Sequence, residues 1–564
     1  MAGYSSGATD QNRNIRRAFV SVGSKKVHYR ACGSGPAIVL LHDSPRSSRL
    51  HTPTMLGLAN SFTVFALDTP GYGNSDPLGI EQPEIGDFAD ALDQALGALG
   101  LRDVPLYATH TSAKIALDYS ARYSGPPRLI LDGLSIPTSP TPPDFIAAYM
   151  RPFVKDDDGA FIAKEWIRVR DMLRWFPWFN PDASKRMQLE VSPDWIRDYT
   201  LDLFAAGPHY SDAYAAAMRY DPKPALLGVT TPTVVGAKSD DVLFDSLQRV
   251  PTDKNSNLET APLSADREEW LAWLIKELGQ SANESISSAK SSSTFDDDHV
   301  YVDVNDGQIF ARQYGDAAAP KVLVLDTPFL VQGQQWAEAL KQDYRIILPD
   351  LPGFGESDAL NSILPESFAR AINSLLTELS DTPVAVLATG YAAPLAILLA
   401  HKYPQKVRQL IIDGGASQKS FPEASDLDEL VPYFEFSHAG SHLHETWHML
   451  RDSQASWPWH DRSNNAHRKI EPKFEHPYLY DSFMGVLKQP AHYGDAVRAS
   501  FSAAADLPVP TQDTLFLELE NDPAFCDLRS LSDKWPAART TSRAADISNS
   551  ADVVLNFLST ESQT

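Results

Sequence analysis

The chain has 564 residues, a formal net charge of −24 at pH 7, and 43% hydrophobic and 10% aromatic residues. This length exceeds one ordinary domain, and the apolar content suffices for buried cores, which excludes a disordered chain. The acidic balance argues against nucleic acid or an anionic membrane as a partner, because both require a positively charged face.

Neither a signal for export nor a membrane span is visible in the sequence. Residues 1–17 contain no apolar segment of the kind that a secretory signal requires, and no stretch approaches the roughly 20 apolar residues that span a bilayer. The only two cysteines, Cys32 and Cys526, lie in opposite halves of the chain, so we expect no structural disulfide. These features predict a cytoplasmic protein without a membrane partner.

Short apolar runs alternate with helical patterns along the first half of the chain, which is typical of a parallel α/β sheet. The predicted strands are residues 37–41, 63–67, 106–108 and 128–131, and helical spacing is found at residues 88–99 and 113–123. The second half repeats the strand pattern at residues 322–325, 344–348, 384–387 and 407–412.

The repetition extends to individual motifs. Asp68-Thr-Pro-Gly-Tyr-Gly-Asn-Ser-Asp76 returns 282 residues later as Asp350-Leu-Pro-Gly-Phe-Gly-Glu-Ser-Asp358. A second motif returns after 281 residues, from Trp166 with Pro177-Trp178 to Trp447 with Pro458-Trp459. A near-constant offset over such a distance predicts two complete copies of one domain.

We therefore predict two domains, residues 1–278 and 299–564. A serine-rich, acid-ended linker at 279–298 joins them, because such a composition cannot bury apolar surface. Each domain carries a long insertion before its last strand, at about 140–222 and about 418–505.

The segment from Pro105 to Leu117 contains an apolar run, a sharp turn of small residues and the start of a helix. This layout resembles the nucleophile elbow of the α/β-hydrolase superfamily, Gly-x-nucleophile-x-Gly. Ala108 and Ser112 take the two glycine places and His110 takes the nucleophile place, whereas the second copy has Gly390 there. The resemblance implies an α/β fold class: two tandem α/β-hydrolase-like domains, each a mostly parallel sheet flanked by helices with an inserted helical cap.

A working member of this superfamily needs a nucleophile, an acid after a late strand, a histidine after the last strand and an oxyanion hole. In the first half, Asp240 and Asp241 match the acid place, but residues 257–270 contain no histidine where the family has one. The resemblance places the oxyanion segment and pocket at His42, Asp43 and Ser44, with the elbow residues Thr111 and Ser112. The triad is therefore predicted to be degenerate.

His110 at the floor of a pocket suits general acid or base chemistry near neutral pH. Asp43 is expected to face the elbow and to orient the imidazole, and His209 from the insertion is a second candidate titrating group. Trp166 and Trp178 have two interpretations, a packing stripe of the insertion or a substrate-lining pair.

The second half departs further from the family pattern. Gly390 has no side chain, which excludes nucleophilic catalysis at that elbow. The residues expected to line the second pocket are Asp326, Gly390, Tyr391, Trp447 and His492.

His444-Glu445-Thr-Trp-His448 matches the His-Glu-x-x-His pattern in which two histidines one helical turn apart bind zinc. The corresponding first-half residues, 163–167, lack it, and no third ligand is identifiable. Zinc-dependent activity is therefore a minor alternative, and we predict neither a metal nor another cofactor.

Three functional hypotheses remain open at the level of sequence. The first is a non-classical, cofactor-independent enzyme of the hydrolase, lyase or isomerase type, acting on a small apolar or aromatic substrate in the first domain, with His110 as acid or base. The second is a pseudoenzyme that binds a ligand or partner without turnover. In the third, the second domain is only a folding or dimerising companion; a homodimer is compatible with the sequence.

Overall fold

The computed structural model describes residues 15–123, 125–180, 182, 185–186, 192–281, 298–329, 331–416, 421, 423, 426–525 and 528–560. It divides into two compact units. The first comprises Met1–Val154 and Lys164–Ser293, and the second comprises Lys155–Ala163 and Thr294–Thr564. Residues 282–297 of the predicted linker, and Cys526, lie outside the described residues, so the exact domain boundaries stay a prediction.

The first unit is built on an eight-stranded sheet. Its strands are β1 (Arg16–Val22), β2 (Lys25–Gly33), β3 (Ala37–Leu41), β4 (Thr63–Leu67), β5 (Leu106–Thr109), β6 (Leu129–Asp132), β7 (Thr233–Lys238) and β8 (Leu258–Leu263). The spatial order is β1-β2-β4-β3-β5-β6-β7-β8. Strands β1, β2 and β4 pair antiparallel, and all other pairs are parallel.

The second unit repeats this architecture. Its strands are β9 (Asp298–Val304), β10 (Gly307–Tyr314), β11 (Lys321–Leu325), β12 (Arg345–Pro349), β13 (Val384–Thr389), β14 (Val407–Asp413), β15 (Asp513–Glu518) and β16 (Ala538–Ser542). Their order, β9-β10-β12-β11-β13-β14-β15-β16, equals that of the first sheet. The predicted fold class, a mostly parallel sheet flanked by helices in each half, is confirmed.

Helices cover both faces of these sheets, which explains why the central strands are apolar throughout: β3 is buried at all five positions. In the first unit the α-helices outside the insertion are Thr52–Leu58, Ile85–Leu99, Thr111–Arg122 and Arg267–Gly279. In the second unit they are Gly333–Leu340, Pro365–Leu379, Ala393–Lys402, Leu528–Ser532 and Ala551–Leu558. No helix among the described residues is long and apolar enough to cross a membrane.

A helical insertion separates β6 from β7, and another separates β14 from β15. The first contains Pro143–Tyr149, Ala160–Met172, Pro193–Ala206, Asp212–Arg219 and Lys223–Gly228, with a short hairpin of Trp175–Phe176 and Lys185–Arg186. The second contains Leu427–Leu430, Ser441–Asp452, His476–Lys488 and Asp495–Ala504. Both follow the strand that enters the sheet beside the elbow strand, so they reach the end of the sheet where the candidate site lies.

The repeated Asp-x-Pro-Gly motif forms the turn after β4, and its hydrogen bonds explain its composition. Asp68 accepts the Asn74 N–H at 3.0 Å, and the Ser75 hydroxyl donates to the Asp68 carbonyl at 2.9 Å. Gly73 has a φ of 56°, and a Cβ there would collide with the Asp68 carboxylate, so only glycine fits. In the second copy Asp350 accepts the Glu356 N–H at 2.9 Å, which is the same contact.

His51 follows β3 in a short helix and is buried, with its ring 6.0 Å from that of Tyr107. Burial lowers its pKa to about 3, because a charged ring would lose its hydration there, and this outweighs a hydrogen bond with the Leu41 backbone. The neutral ring is therefore favoured in the folded state. Its contribution to stability is complete above the unfolded pKa, near 6.5, and declines as the pH falls towards 3.

We expect His51→Leu to flatten this acid sensitivity. Between pH 6.5 and pH 5 the free energy of unfolding of the first unit should fall by about 2 kcal/mol more in the parent protein than in the variant. Native-state hydrogen exchange of the β3 and β5 amides measures this difference. The exposed His401, replaced by Gln, is the control; equal pH dependence of His51→Leu and the parent would contradict the prediction.

Candidate active site in the first unit

The elbow between β5 and the helix Thr111–Arg122 places His110 at the carboxyl end of the first sheet. His110 has φ 45° and ψ −106°, a conformation that is unfavourable for a residue with a Cβ. Its N–H donates to the Asp132 carbonyl at 2.9 Å, which ties the turn to the neighbouring strand β6. The turn thus directs the imidazole outward from the end of the sheet.

The imidazole meets an aspartate from the turn after β7. His110 Nε2 lies 2.8 Å from Asp241 Oδ2, and 40% of the His110 side chain is exposed. Gly133, directly after β6, makes room for the ring, since a Cβ there would approach His110 Nε2 to 2.6 Å. The Leu-Asp-Gly motif ending at residue 133 therefore serves the site, a role that we did not assign to it from the sequence.

Carboxylates around the ring determine its charge. Burial opposes protonation of His110, but the hydrogen bond and charge of Asp241, with the charges of Asp43 and Asp132, raise its pKa to about 9. The same hydrogen bond lowers the pKa of Asp241 against the effect of its own burial. At neutral pH the site therefore holds an imidazolium paired with a carboxylate.

The two aspartates of the acid place have different environments. Asp241 also accepts the Leu243 N–H at 2.7 Å, which fixes its carboxylate, whereas Asp240 is exposed. Asp43, expected from the sequence to orient the imidazole, acts on it through charge, while the hydrogen bond goes to Asp241. Asp43 Oδ1 is buried and has no hydrogen-bond partner among the described residues.

The remaining oxyanion-segment residues are engaged in structural contacts. His42 Nε2 accepts the Thr69 N–H at 2.9 Å, so its Nδ1–H donates to the Asp43 carbonyl at 2.7 Å and the ring is neutral. The Ser112 hydroxyl donates to the His42 carbonyl and is buried, which leaves it unsuited to nucleophilic attack. Ser44 and Thr111 are also buried, beside the cis peptide to Pro45 and at the start of the elbow helix.

Residues of the first insertion surround Asp43 with aromatic rings. Asp43 contributes to the raised pKa of Tyr199 and of Tyr214, in both of which burial is the largest cause. The Tyr214 hydroxyl lies 3.3 Å from that of Tyr149. Trp178 is 8% exposed and donates from Nε1 to the Tyr149 carbonyl at 3.2 Å, so it supports the tyrosine from behind.

Two further predicted residues of this insertion lie apart from His110 in their described contacts. Trp166 is buried at 3% exposure. His209 Nδ1 lies 2.9 Å from Asp212 Oδ2, and its Cβ lies against Gly71 of the Asp-x-Pro-Gly turn. These contacts favour the packing interpretation for Trp166 and a local ion pair for His209.

The corresponding place in the second unit is filled by its own side chains. Gly390 has a φ of 49°, the same turn without a side chain. Tyr391 stacks on Phe421 at 4.1 Å and accepts a hydrogen bond from Trp457. Asp326 is buried and accepts the Gly333 N–H at 2.6 Å.

Two other predicted residues of the second pocket have packing roles. Trp447 is 1% exposed, with its ring 5.5 Å from that of Phe483. His492 Nδ1 lies 2.9 Å from Asp495 Oδ2, which repeats the His209–Asp212 pair of the first unit.

Arginine takes the place where the family carries its histidine. Arg543 directly follows β16, and its Nε donates to Asp413 Oδ1 at 2.6 Å. The acid turn after β15 provides Asp522, whose Oδ2 lies 3.5 Å from Arg468 Nε. We searched this segment of the sequence for histidine, so both arginines were missed; an arginine immediately after the last strand was the available signal.

His444 and His448 lie on the helix Ser441–Asp452 and line a groove of about 1030 Å³ together with Glu445 and His460. Burial and the charge of His448 lower the pKa of His444. Within the described ranges, no group of three or more His, Cys, Asp or Glu side chains is placed to hold a metal ion. The zinc hypothesis therefore gains no support from the described contacts.

The comparisons with known proteins agree with this architecture. Residues 331–442 match the family model described as alpha/beta hydrolase fold. The strand order and the elbow are the same in both units. The resemblance to the α/β-hydrolase superfamily is thus confirmed, and the chain carries this fold in two tandem units.

The relatives that the chain matches include hydrolases. A 2-(acetamidomethylene)succinate hydrolase from Mesorhizobium japonicum is 28% identical over 125 residues, 22% of this chain and 42% of that protein. The chain thus spans less than half of the length of this relative. Among solved structures, epoxide hydrolase A from Mycobacterium thermoresistibile is 17% identical with a TM-score of 0.38, over 48% of this chain and all (100%) of that one. A haloalkane dehalogenase from Agrobacterium tumefaciens C58 is 21% identical with a TM-score of 0.37, over 48% and 98% of the two chains.

Asp241→Asn should lower the pKa of His110 from about 9 by roughly 1–3 units, because the variant removes an adjacent negative charge. NMR titration of ring-labelled histidine measures the shift. Asp240→Asn is a matched control, since the neighbouring carboxylate is exposed. An unchanged titration in Asp241→Asn would mean that Asp43 and Asp132 alone hold the charge.

Proposed function

We propose that the first unit is a cofactor-independent enzyme in which His110 acts as a general acid towards a small molecule. The observation that carries this proposal is the 2.8 Å contact between His110 Nε2 and Asp241 Oδ2 at the elbow. Because Nε2 faces Asp241, Nδ1 is the nitrogen left to face a substrate. A pKa of about 9 keeps the ring protonated at neutral pH, so it starts as an acid and not as a base.

Asp43 is the matching proton acceptor in this proposal. Its Oδ1 has no hydrogen-bond partner among the described residues, and its charge acts on His110. A proton passes from a substrate C–H, or from water that attacks the substrate, to Asp43. The Nδ1–H of His110 then gives its proton to the substrate oxygen on which negative charge develops. The first case describes an isomerase or lyase, and the second describes a hydrolase without an acyl-enzyme.

The surroundings of the site support a small, apolar or aromatic substrate without negative charge. Tyr149, Tyr199 and Tyr214 provide aromatic surface close to Asp43. Asp43, Asp132 and Asp241 surround a single imidazolium, so a carboxylate substrate would meet net negative charge. In this respect we expect the substrate to differ from the dicarboxylate in the name of the Mesorhizobium relative.

The second unit is non-catalytic in this proposal. Gly390 provides no reacting group, and the Arg543–Asp413 pair fills the place of the histidine. The alternative for the whole chain is a pseudoenzyme, in which the first site binds the same class of small molecule without turnover.

His110→Gln should reduce kcat by about 10²- to 10⁴-fold on any substrate that the parent protein converts in a panel of neutral esters, lactones and β-diketones. The activity of the parent should fall above a pH of about 9, as the ring loses its proton, and Asp241→Asn should move this limb to lower pH. Steady-state kinetics from pH 6 to 10 measures both effects, with His401→Gln as the control. Full activity of His110→Gln would refute the role of the imidazole, and binding without turnover would favour the pseudoenzyme.

Charge selectivity gives a separate prediction. A neutral ester should have a kcat/KM at least about tenfold higher than the same compound carrying a free carboxylate, because a like charge at the site opposes binding. Competition between a methyl ester and its half-acid measures the ratio. Asp132→Asn should narrow the difference; a preference for the half-acid would show that the carboxylates do not face the substrate.

A further inference from the structure

Two arginines of the second unit are buried at the ends of its last two strands. Arg543 follows β16, and Arg468 lies in the second insertion. The side chains of both have an exposure of 0%, as have those of their partners Asp413 and Asp522. Fully buried charges of this kind persist only where each N–H group and each oxygen finds a partner.

Neutral donors already satisfy much of the capacity of the two carboxylates. Asp413 Oδ2 accepts the Trp336 indole N–H at 2.8 Å, and its other oxygen accepts Arg543 Nε. Asp522 accepts the backbone N–H groups of Lys469 at 2.7 Å and Ala524 at 2.9 Å. Both carboxylates are therefore fixed by contacts that do not involve the outer nitrogens of the guanidinium groups.

The outer nitrogens of the two arginines are left over. Arg543 Nη1 donates to the Ala544 carbonyl at 2.7 Å, and Arg468 Nη1 donates to the Ser453 carbonyl at 3.2 Å. Nη2 of each arginine is buried without a hydrogen-bond partner among the described residues. Each Nη2 carries two N–H donors, so the site leaves several donors unused and aimed into the protein.

We propose that these two Nη2 groups form a binding site for a small carboxylate anion at the former catalytic place of the second unit. A guanidinium group presents parallel N–H donors that match the two oxygens of a carboxylate, which a spherical anion does not offer. An anion also relieves the repulsion between the two cations.

The electrostatics of the pair agree with this assignment. Burial is the largest cause that lowers the pKa of Arg468, and the charge of Arg543 lowers it further. The two guanidinium groups are therefore close enough to interact, and a shared anionic ligand would stabilise the charged form of both. This inference does not depend on catalysis in the first unit.

Isothermal titration of the full-length protein with acetate tests the proposal. We expect one acetate per chain at this site, and at least tenfold weaker binding in Arg468→Met and in Arg543→Met. Arg529→Met is the matched control in the same unit, since the Arg529 side chain is 72% exposed and paired with Glu518. Equal acetate binding by all four proteins would overturn the proposal, and so would phosphate or chloride binding more tightly than acetate.

A second measurement does not require that the buried variants fold. Crystals of the parent protein soaked in bromoacetate should show a bromine anomalous peak, with the carboxylate in contact with Nη2 of Arg468 and Arg543. Ordered water alone at both nitrogens would overturn the proposal.

Discussion

The structure of the site depends on a single backbone constraint, the positive φ of the residue between strand and helix at the elbow. A parallel strand can pass directly into a helix above the end of the sheet only if this residue leaves the usual region of φ and ψ. Gly390 adopts φ 49° without steric penalty, whereas His110 adopts φ 45° with a Cβ present. The first copy thus retains a strained turn with an ionisable side chain, and such strain persists where the surrounding structure enforces it. Here the hydrogen bond to Asp132 and the space left by Gly133 do so.

The two copies resolve the same arrangement of acidic strand ends in opposite ways. In the first, one imidazolium stands among Asp43, Asp132 and Asp241, and its side chain is 40% exposed. In the second, two guanidinium groups neutralise two carboxylates at zero exposure. An imidazole can exchange its proton near neutral pH, whereas arginine cannot. The first arrangement therefore suits proton transfer, and the second suits permanent charge pairing.

Most of the fold was predictable from local sequence, because buried parallel strands are short apolar runs and the two copies repeat at an offset near 281. The site was predictable only in part. The elbow and His110 follow from one contiguous segment, but the choice between Asp43, Asp240 and Asp241 as hydrogen-bond partner depends on the conformation of a loop. Asp240 and Asp241 are adjacent in sequence, yet the first is exposed and the second accepts the Leu243 N–H. Arg468 and Arg543 are 75 residues apart, and only the tertiary fold brings their charges together.

The Asp-x-Pro-Gly turn keeps its hydrogen bonds in both copies although the cation beside its aspartate has changed. His28 Nδ1 lies 2.7 Å from Asp68, whereas Arg312 Nη2 takes the equivalent role 2.7 Å from Asp350. The turn therefore specifies the scaffold independently of the residues at the strand ends that carry chemistry. After a gene duplication, such modularity would let one copy lose its reactive groups without losing its fold. The same separation would allow the reactive ends of one copy to be grafted onto the other in protein engineering.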